Sequence, residues 1–388
     1  MGGLRRPDIH FGLCGHAEGS ALIQKQESIS ICLIGGIYGK DRDYRSKVKM
    51  TPETILESGF RARGHRVITL GHREKLDSQN AAIIHVHHLG YGAIRAAVSS
   101  GKAPFVYTSH DPLAMSGMLA RSKRFAADFV MSRADAVVAL SEYEAGFQRR
   151  TYPLDGAMHK VIPNGINTDN YRYSRENDAG RSRSWQLLVV GQLIEQKGVD
   201  RLLQALALLP ENVELQLVFH VDALRDKLEK LAGELGLRKR VKFLGARSPI
   251  ELREIYQRSD LLVLPSLAEA LPSVITEAML CGTPIISSDV GGIRDQLGGF
   301  GLLVAPGRVE ELATAIRRAL NDYGEFAEKS EAMSQYAHKR FSIDAMVEHH
   351  IELYRILLSQ KGSPRRARKL RQPLNLVAQL AVNRPWKT

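Results

Sequence analysis

The sequence predicts an α/β protein of two doubly wound domains that face one cleft. Three observations carry this. Short apolar runs alternate with longer amphipathic stretches from residue 30 onward, the pattern of parallel strands joined by helices. The alternation comes as two series of similar length, split by the polar, aperiodic stretch 172–184. The 388 residues suffice for two domains of about 150 residues each. Right-handed crossovers place every loop that follows a strand's C-terminal end on one edge, and ligands bind in the crevice there.

The elements follow in order. Residues 1–29 mix Gly, His, Arg and Gln without periodicity and read as a flexible lead-in. The run 29–34 stops at Gly35-Gly36, as a buried strand feeding a glycine loop does. A polar stretch, 37–50, reads as a long loop. Thr51-Pro52-Glu53 then supplies an N-cap, a proline at the first helical position and an early acid. This helix ends at Gly64, and 66–70 is the next strand. Strand 82–86, helix 92–99 and strand 105–108 lead to Ser109-His110-Asp111. Helix 115–132, strand 136–140, a helix capped by Ser141 and a short strand at 161–162 complete the domain 30–171. After the linker 172–184, the domain 185–342 reads as strand 187–190, helix 199–209, strand 214–219, helix 222–235 and strand 241–244. Helix 249–257, strand 261–264, helix 273–281, strand 284–287, strand 302–304 and helix 308–321 follow. The segment 343–388 holds a final amphipathic helix, 343–359, that returns to the first domain, and then a basic tail.

Composition narrows the function. Hydrophobic residues make up 44% and charged residues 25%, a globular balance that excludes a disordered or collagen-like chain. Three cysteines, Cys14, Cys32 and Cys281, are too few and too scattered for a disulfide framework and suit a reducing compartment. No apolar run approaches the roughly 20 residues needed to span a bilayer, and the first residues lack the features of a signal peptide. A cytoplasmic protein is expected. Of the net charge of +12, residues 361–388 carry +8 with no acid, so the body is only mildly basic. The tail and the basic, apolar helix 115–132 together suggest peripheral contact with an anionic membrane at its inner face. A nucleic-acid partner is not expected, because the body has no reader motif.

The densest chemical signal spans 262–284. A buried strand delivers Glu269 into a tight loop, a helix begins near Leu271–Ser273, and Glu277 follows about one turn in. The free backbone N–H groups of a helix start can hold a phosphate. Two carboxylates flank that start, each able to accept hydrogen bonds from sugar hydroxyls.

Here the chain resembles the large group of retaining GT-B glycosyltransferases, which carry an E-x7-E motif in this strand–loop–helix context. Glu269 and Glu277 match it within "EALPSVITEAMLCGTPII". The segments "VIPNGIN" (161–167), "KGVDRLLQAL" (197–206), "VKFLG" (241–245) and "SDVGGIRD" (288–295) extend the resemblance over roughly 30–345. The resemblance implies two Rossmann-like domains and sugar transfer from a nucleoside diphosphate sugar to an acceptor hydroxyl. It implies retained configuration and a place in glycan, polysaccharide or glycoconjugate biosynthesis, with an acceptor that is a glycan or lipid-linked.

By the same resemblance, Glu269 touches the donor sugar, Glu277 holds the ribose, and backbone N–H groups around Leu271, Ser273 and Val274 contact phosphate or sugar. Lys197 pairs with the diphosphate, Gly36 lets backbone approach a phosphate, and His110 reaches the donor sugar. No cofactor and no metal are implied; no Asp-x-Asp closes a strand at the cleft.

The chain also departs from the pattern. Gln192 stands in Gly191-Gln192-Leu193 where the group has an arginine, and His220-Val221-Asp222 replaces a glycine pair. Gln192 can donate a hydrogen bond without supplying charge, and Lys47, Lys49 or Arg247 are candidates to compensate. These departures keep open a catalytically weak nucleotide-sugar-binding subunit, beside the alternative of a nucleotide-sugar epimerase. His85, His87 and His88 look like a metal cluster, yet no acidic or Cys partner lies at ligand spacing. They suit strand-edge packing or acceptor contact.

Overall fold

The computed structural model describes residues 27–47, 51–110, 121–154, 156–174 and 184–360. Within them lie two parallel sheets of six strands each. The first contains β1 Ser30–Ile34, β2 Arg66–Leu70, β3 Ile83–His87, β4 Phe105–Thr108, β5 Ala136–Ala139 and β6 Met158–Val161, in the order β2-β1-β3-β4-β5-β6. The second contains β7 Trp185–Val190, β8 Val213–Val218, β9 Val241–Gly245, β10 Leu261–Leu264, β11 Ile285–Ser288 and β12 Leu302–Val304, in the order β12-β11-β10-β7-β8-β9. The helices of the first domain are α1 Arg42–Lys47, α2 Pro52–Ala62, α3 Tyr91–Ser99, α4 Arg121–Arg133 and α5 Glu142–Thr151. Those of the second are α6 Val199–Ala207, α7 Arg225–Glu234, α8 Pro249–Arg258, α9 Ser273–Cys281, α10 Ile293–Leu297, α11 Val309–Asn321, α12 Tyr323–Glu328 and α13 Ser330–Phe341. The last helix is α14 Ile343–Ser359.

The strands read as apolar runs because both faces of each sheet are covered. Along β1, Ile31 and Leu33 enter one core with Phe60 and Tyr354, while Cys32 and Ile34 enter the other with Ile84 and Phe105. Register is continuous across the centre: Ile31 lies opposite Val67 on one side and Ile83 on the other. Capping follows the sequence. Thr51 and Thr54 form a reciprocal capping box at the start of α2, Ser248 and Glu251 do so for α8, and Ser141 accepts from the Glu144 N–H.

Several expectations need correction. The polar stretch 37–50 is not one open loop: a 3-10 turn, Gly36–Gly39, and α1 occupy it. The short strand placed at 161–162 lies earlier, at β6, paired with β5 from Met158 to Val161. The helices α10, α12 and α13 were not expected; α13 fills a face of the second core with Met333, Ala337 and Phe341. The helix expected at 115–132 begins, as described, at Arg121, and its expected residues 115–120 lie outside the described residues, as do the lead-in 1–26, most of the linker and the tail 361–388. Within α4, Val130 and Met131 are buried, Arg124 donates to the Thr151 carbonyl, and Phe125 stays exposed beside Lys123. Among the described residues no helix is long and apolar enough to cross a membrane.

The chain passes between the domains twice, side by side. Ile166 bridges Ser342, and a Cβ on Gly165 would lie 2.8 Å from backbone atoms of Ser342 and Ile343. Beyond this point α14 packs on α2, burying Val347, Ile351 and Tyr354 in the first domain's core. Arg63 clamps the helix from α2, at 2.6 Å from both Asp344 and Glu348. Close packing depends on Gly59, where a Cβ would stand 2.4 Å from a Val347 methyl. Helix propensity alone makes Gly59→Leu stabilising by about 1 kcal/mol. The collision reverses the sign: an overpacked core loses about 1–3 kcal/mol. The denaturation midpoint of Gly59→Leu is therefore expected to fall, and adding Val347→Ala to recover part of the loss.

Candidate functional site

The strand order of each sheet reverses direction once, and a crevice opens at that point. In the second sheet the reversal lies between β7 and β10. The loops leaving these two strands are bound together. The Leu267 N–H donates to the Gln196 carbonyl and the Gln196 side chain to the Ala268 carbonyl, both at 2.8 Å. Gly198 opens α6 at φ +62°, and a Cβ there would lie 2.3 Å from the Pro265 carbonyl oxygen. Only glycine fits both the left-handed backbone and that approach.

This junction brings Lys197 and Glu269 together. Lys197 Nζ donates to Glu269 Oε1 at 2.6 Å, and Ser266 Oγ donates to the same oxygen at 2.7 Å. Both side chains are largely buried, at 18% and 8% exposed, so solvent screens the pair weakly. The loop then turns into α9, whose N-cap is Pro272 and carries no side-chain cap. The Ser273 and Val274 amides therefore have no partner within the helix. Leu271 lies just outside the helix, half-buried. Glu277 sits one turn inside and is held by neutral donors. Tyr256 OH donates to its Oε2 at 2.9 Å. Burial pushes the Glu277 carboxyl above the ordinary range, and hydrogen bonds from Tyr256, Ser273 and Tyr171 pull it partly back.

Gln192 follows β7, half-buried. Its segment is pinned to the altered loop: the Leu193 N–H donates to the Val221 carbonyl, and the Leu224 N–H to the Leu193 carbonyl. Of the cations named as compensators, Arg247 lies 3.9 Å from Glu251 on α8, while Lys49 and the Lys47 side chain lie outside the described residues.

The first sheet reverses between β1 and β3, which places Gly36 and His88 at its crevice, with His110 one strand further. A Cβ on Gly36 would meet only the His72 ring, at 3.9 Å, so backbone is accessible there. His110 Nε2 is 2.9 Å from His87 Nδ1. The histidines need correction. β3 is a central strand, and His85 and His87 are buried rather than packed at an edge. An acidic partner exists as well: Glu53, at the start of α2, lies 3.2 Å from His88 Nε2. Burial works against the Glu53 charge, but hydrogen bonds from His88 and its own backbone hold this carboxyl well below the usual range. His88 is the one non-glycine residue with positive φ among the described residues, at +68°. No group of three or more His, Cys, Asp or Glu among the described residues is arranged to hold a metal ion. Tyr171 and Tyr256 escaped the sequence reading because each reaches Glu277 from a distant element, Glu53 was read only as an early helix acid, and Ser266, three residues before Glu269, carried no signal of its own.

The "VGGI" segment also acquires a reason. Gly291 has φ +57°, and a Cβ there would fall 1.9 Å from the Glu269 carbonyl oxygen. Gly292 donates to the Ala270 carbonyl and abuts Ser141 of the first domain, next to the Tyr143 N–H that donates to Asp295. Gly291→Ala is expected to displace the Glu269 backbone and break the Lys197–Glu269 pair in a crystal structure of the variant. Its loss of unfolding free energy should exceed that of Gly236→Ala, a control at φ +72° with open space, whose backbone strain alone costs about 1–2 kcal/mol.

Residues 174–340 match the family described as glycosyl transferases group 1, and residues 67–170 match glycosyltransferase family 4. An uncharacterized glycosyltransferase of Methanocaldococcus jannaschii is 31% identical over 217 residues, covering 52% of this chain and 55% of that protein. The chain thus spans about half the length of that relative. A D-inositol 3-phosphate glycosyltransferase of Rhodococcus opacus is 29% identical over 322 residues, covering 74% of this chain and 72% of that one. The Anabaena HepE protein, solved with UDP, superimposes with a TM-score of 0.68 at 22% identity, over 84% of this chain and 100% of that one. The chain therefore has the GT-B fold, with a glycosyltransferase family model matched in each of its two domains.

Proposed function

We propose that the protein transfers a sugar from a nucleoside diphosphate sugar to an acceptor hydroxyl, with retention of anomeric configuration, in the synthesis of a glycan or glycoconjugate. The observation that carries this is one cation, two carboxylates and an uncapped helix start at a single sheet reversal. The donor's diphosphate lies against the Ser273 and Val274 amides of α9 and the Lys197 ammonium. Glu277, one turn inside the same helix, accepts from the ribose hydroxyls. Glu269, across the helix start, accepts from hydroxyls of the sugar. Binding exchanges partners: as Glu269 turns to the sugar, Lys197 is released to the phosphates. Negative charge grows on the leaving diphosphate in the transition state, and fixed N–H dipoles and a desolvated cation stabilise it there. Gln192 contributes a neutral hydrogen bond to the same group. The acceptor enters from the first domain's crevice, past Gly36, His88 and His110.

UDP is the first base to try, because HepE, which shares the fold, has been solved with UDP and with UDP-glucose. Same-face substitution, in which the leaving phosphate takes the acceptor's proton, fits a donor site whose two carboxylates are both assigned to hydroxyls, Glu269 to the sugar and Glu277 to the ribose, with neither assigned as a covalent nucleophile. An epimerase would consume the same donor with no acceptor, so incubating the protein with UDP-glucose alone and looking for a sugar epimer separates the two. The neutral Gln192 favours weaker donor binding than an arginine gives, and a panel of nucleotide sugars read by nucleoside diphosphate release measures it.

The two glutamates are separable. Glu269→Gln is expected to lower turnover about 10²-fold or more while calorimetry finds UDP binding nearly unchanged. Glu277→Ala should weaken UDP binding by about tenfold or more. The opposite pattern would reverse the two roles. Because the Glu277 carboxyl is raised, UDP affinity should fall on acidification, beginning above the pH at which an ordinary glutamate titrates, and Glu277→Gln should abolish that dependence.

The cation's work is assigned to Lys197 and the α9 start, so turnover should survive a chelator. Loss of activity in EDTA that Mg²⁺ or Mn²⁺ restores would contradict the assignment.

A further inference from the structure

Beneath His110 lies a column of imidazoles that the transfer reaction as described does not use. His350 of α14 packs on His85 at 5.3 Å between ring centroids, His85 lies 4.3 Å from His87, and His87 lies 5.2 Å from His110 with the two planes within 14°. The column is bolted in place from below. His85 Nδ1 meets the Tyr354 hydroxyl at 2.6 Å and His85 Nε2 meets Thr108 Oγ1 at 2.7 Å. His87 is fully buried on β3, and its Nδ1 stands 2.9 Å from His110 Nε2. Its own Nε2 is buried without a hydrogen-bond partner among the described residues.

We propose that His87 is a positioning residue that fixes the tautomer of His110, so that His110 turns an Nδ1–H donor toward the bound sugar. The inference rests on the assignment of His110 to the donor sugar. Burial, helped by neighbouring histidines, holds both rings well below the usual imidazole range, so each is neutral and carries one N–H. Between them there are two possible arrangements. If His110 Nε2–H donated to His87 Nδ1, the His87 proton would sit on Nε2, a buried N–H with nothing to receive it. Such an orphan costs about 1–3 kcal/mol, whereas a bare lone pair in the same place costs less. The proton of His87 therefore sits on Nδ1 and is donated to His110 Nε2. His110 then carries its own proton on Nδ1, the one ring nitrogen left for a ligand. There it donates to a sugar oxygen and does not compete with the carboxylates as an acceptor. This divides the labour across the cleft: Glu269 accepts from hydroxyls, and His110 donates to an oxygen.

The test is spectroscopic first. In protein labelled with ¹⁵N in its imidazoles, two-bond ¹H–¹⁵N correlations report which nitrogen of each histidine is protonated, whatever the donor sugar. The wild type should show Nδ1–H for both His87 and His110. In His87→Phe the His110 signal should shift to the other tautomer or a mixture. His87→Asn, whose side-chain amide N–H stands close to the ring Nδ1–H, should restore it. Turnover should follow, read as UDP release from UDP-glucose. His87→Phe is expected to lose about 10- to 100-fold in kcat with little change in KM for the donor, and His87→Asn to recover most of it. Nε2–H on His110 in the wild type, or equal impairment of the Phe and Asn variants, overturns the proposal. If His110→Ala turns over like the wild type while the wild-type spectrum shows Nδ1–H, the sugar role of His110 fails. The hydrogen-bond geometry then stands, but the positioning proposal is overturned.

Discussion

Every paired strand among the described residues is parallel, and that constraint organises the rest. Parallel neighbours need crossover connections, crossovers are right-handed, and so all strands of a sheet deliver their C-terminal ends to one edge. Each sheet grows outward from a central strand, first to one side and then to the other. The reversal leaves a crevice that no crossover helix can cover. Gly191, Glu269 and the start of α9 surround one such crevice, and Gly36, His88 and Glu53 surround the other. The chemistry is thus placed by topology before any side chain is chosen.

Three carboxylates at these crevices are treated in three ways. Glu269 faces a cation, Glu277 faces tyrosine hydroxyls, and Glu53 faces an imidazole. Ion pairing in a water-poor site is strong but depends on partner geometry, since a lone buried charge is costly. Neutral donors leave more of the desolvation uncompensated, and the Glu277 carboxyl is raised. A group in that state gains when a ligand brings hydroxyls to it, whereas Glu269 must first be parted from Lys197. The two ends of the cleft floor therefore favour binding for different physical reasons.

Much of the architecture was legible because it is periodic and local. Thr51-Pro52, Ser141 and Gly64 announced helix ends through backbone sterics and orphan N–H groups, and each stands where those rules put it. The pairing of Glu269 and Glu277 about one helix start was legible for the same reason: eight residues of chain span it. The helix α13 was missed because its packed face, Ser330, Met333, Ser334, Ala337 and Phe341, includes two serines, so tertiary packing and not a clean apolar stripe holds it down. Tyr171 and Tyr256 were invisible because they reach Glu277 from segments far apart in sequence, and Glu53 was absorbed into a helix-capping pattern that it also satisfies. The histidines of β3 misled in another way. Alternating imidazoles signal a metal or an edge when read alone, but α14 comes back from beyond the second domain to receive them.

That return has a consequence for how the protein is made. Tyr354, Val347 and Ile351 belong to the core of the domain that is synthesised first, yet they lie within a helix that follows the whole of the second domain. The second domain draws all its strands and most of its core from one continuous stretch, 185–341, and has what it needs once that stretch is free of the ribosome. The first domain does not: until α14 arrives, Phe60 and the histidine column have an open side. Vectorial synthesis normally completes domains in order from the N-terminus. Here the order is inverted, and the half of the cleft made first waits, with apolar surface uncovered, for the half made last to be finished.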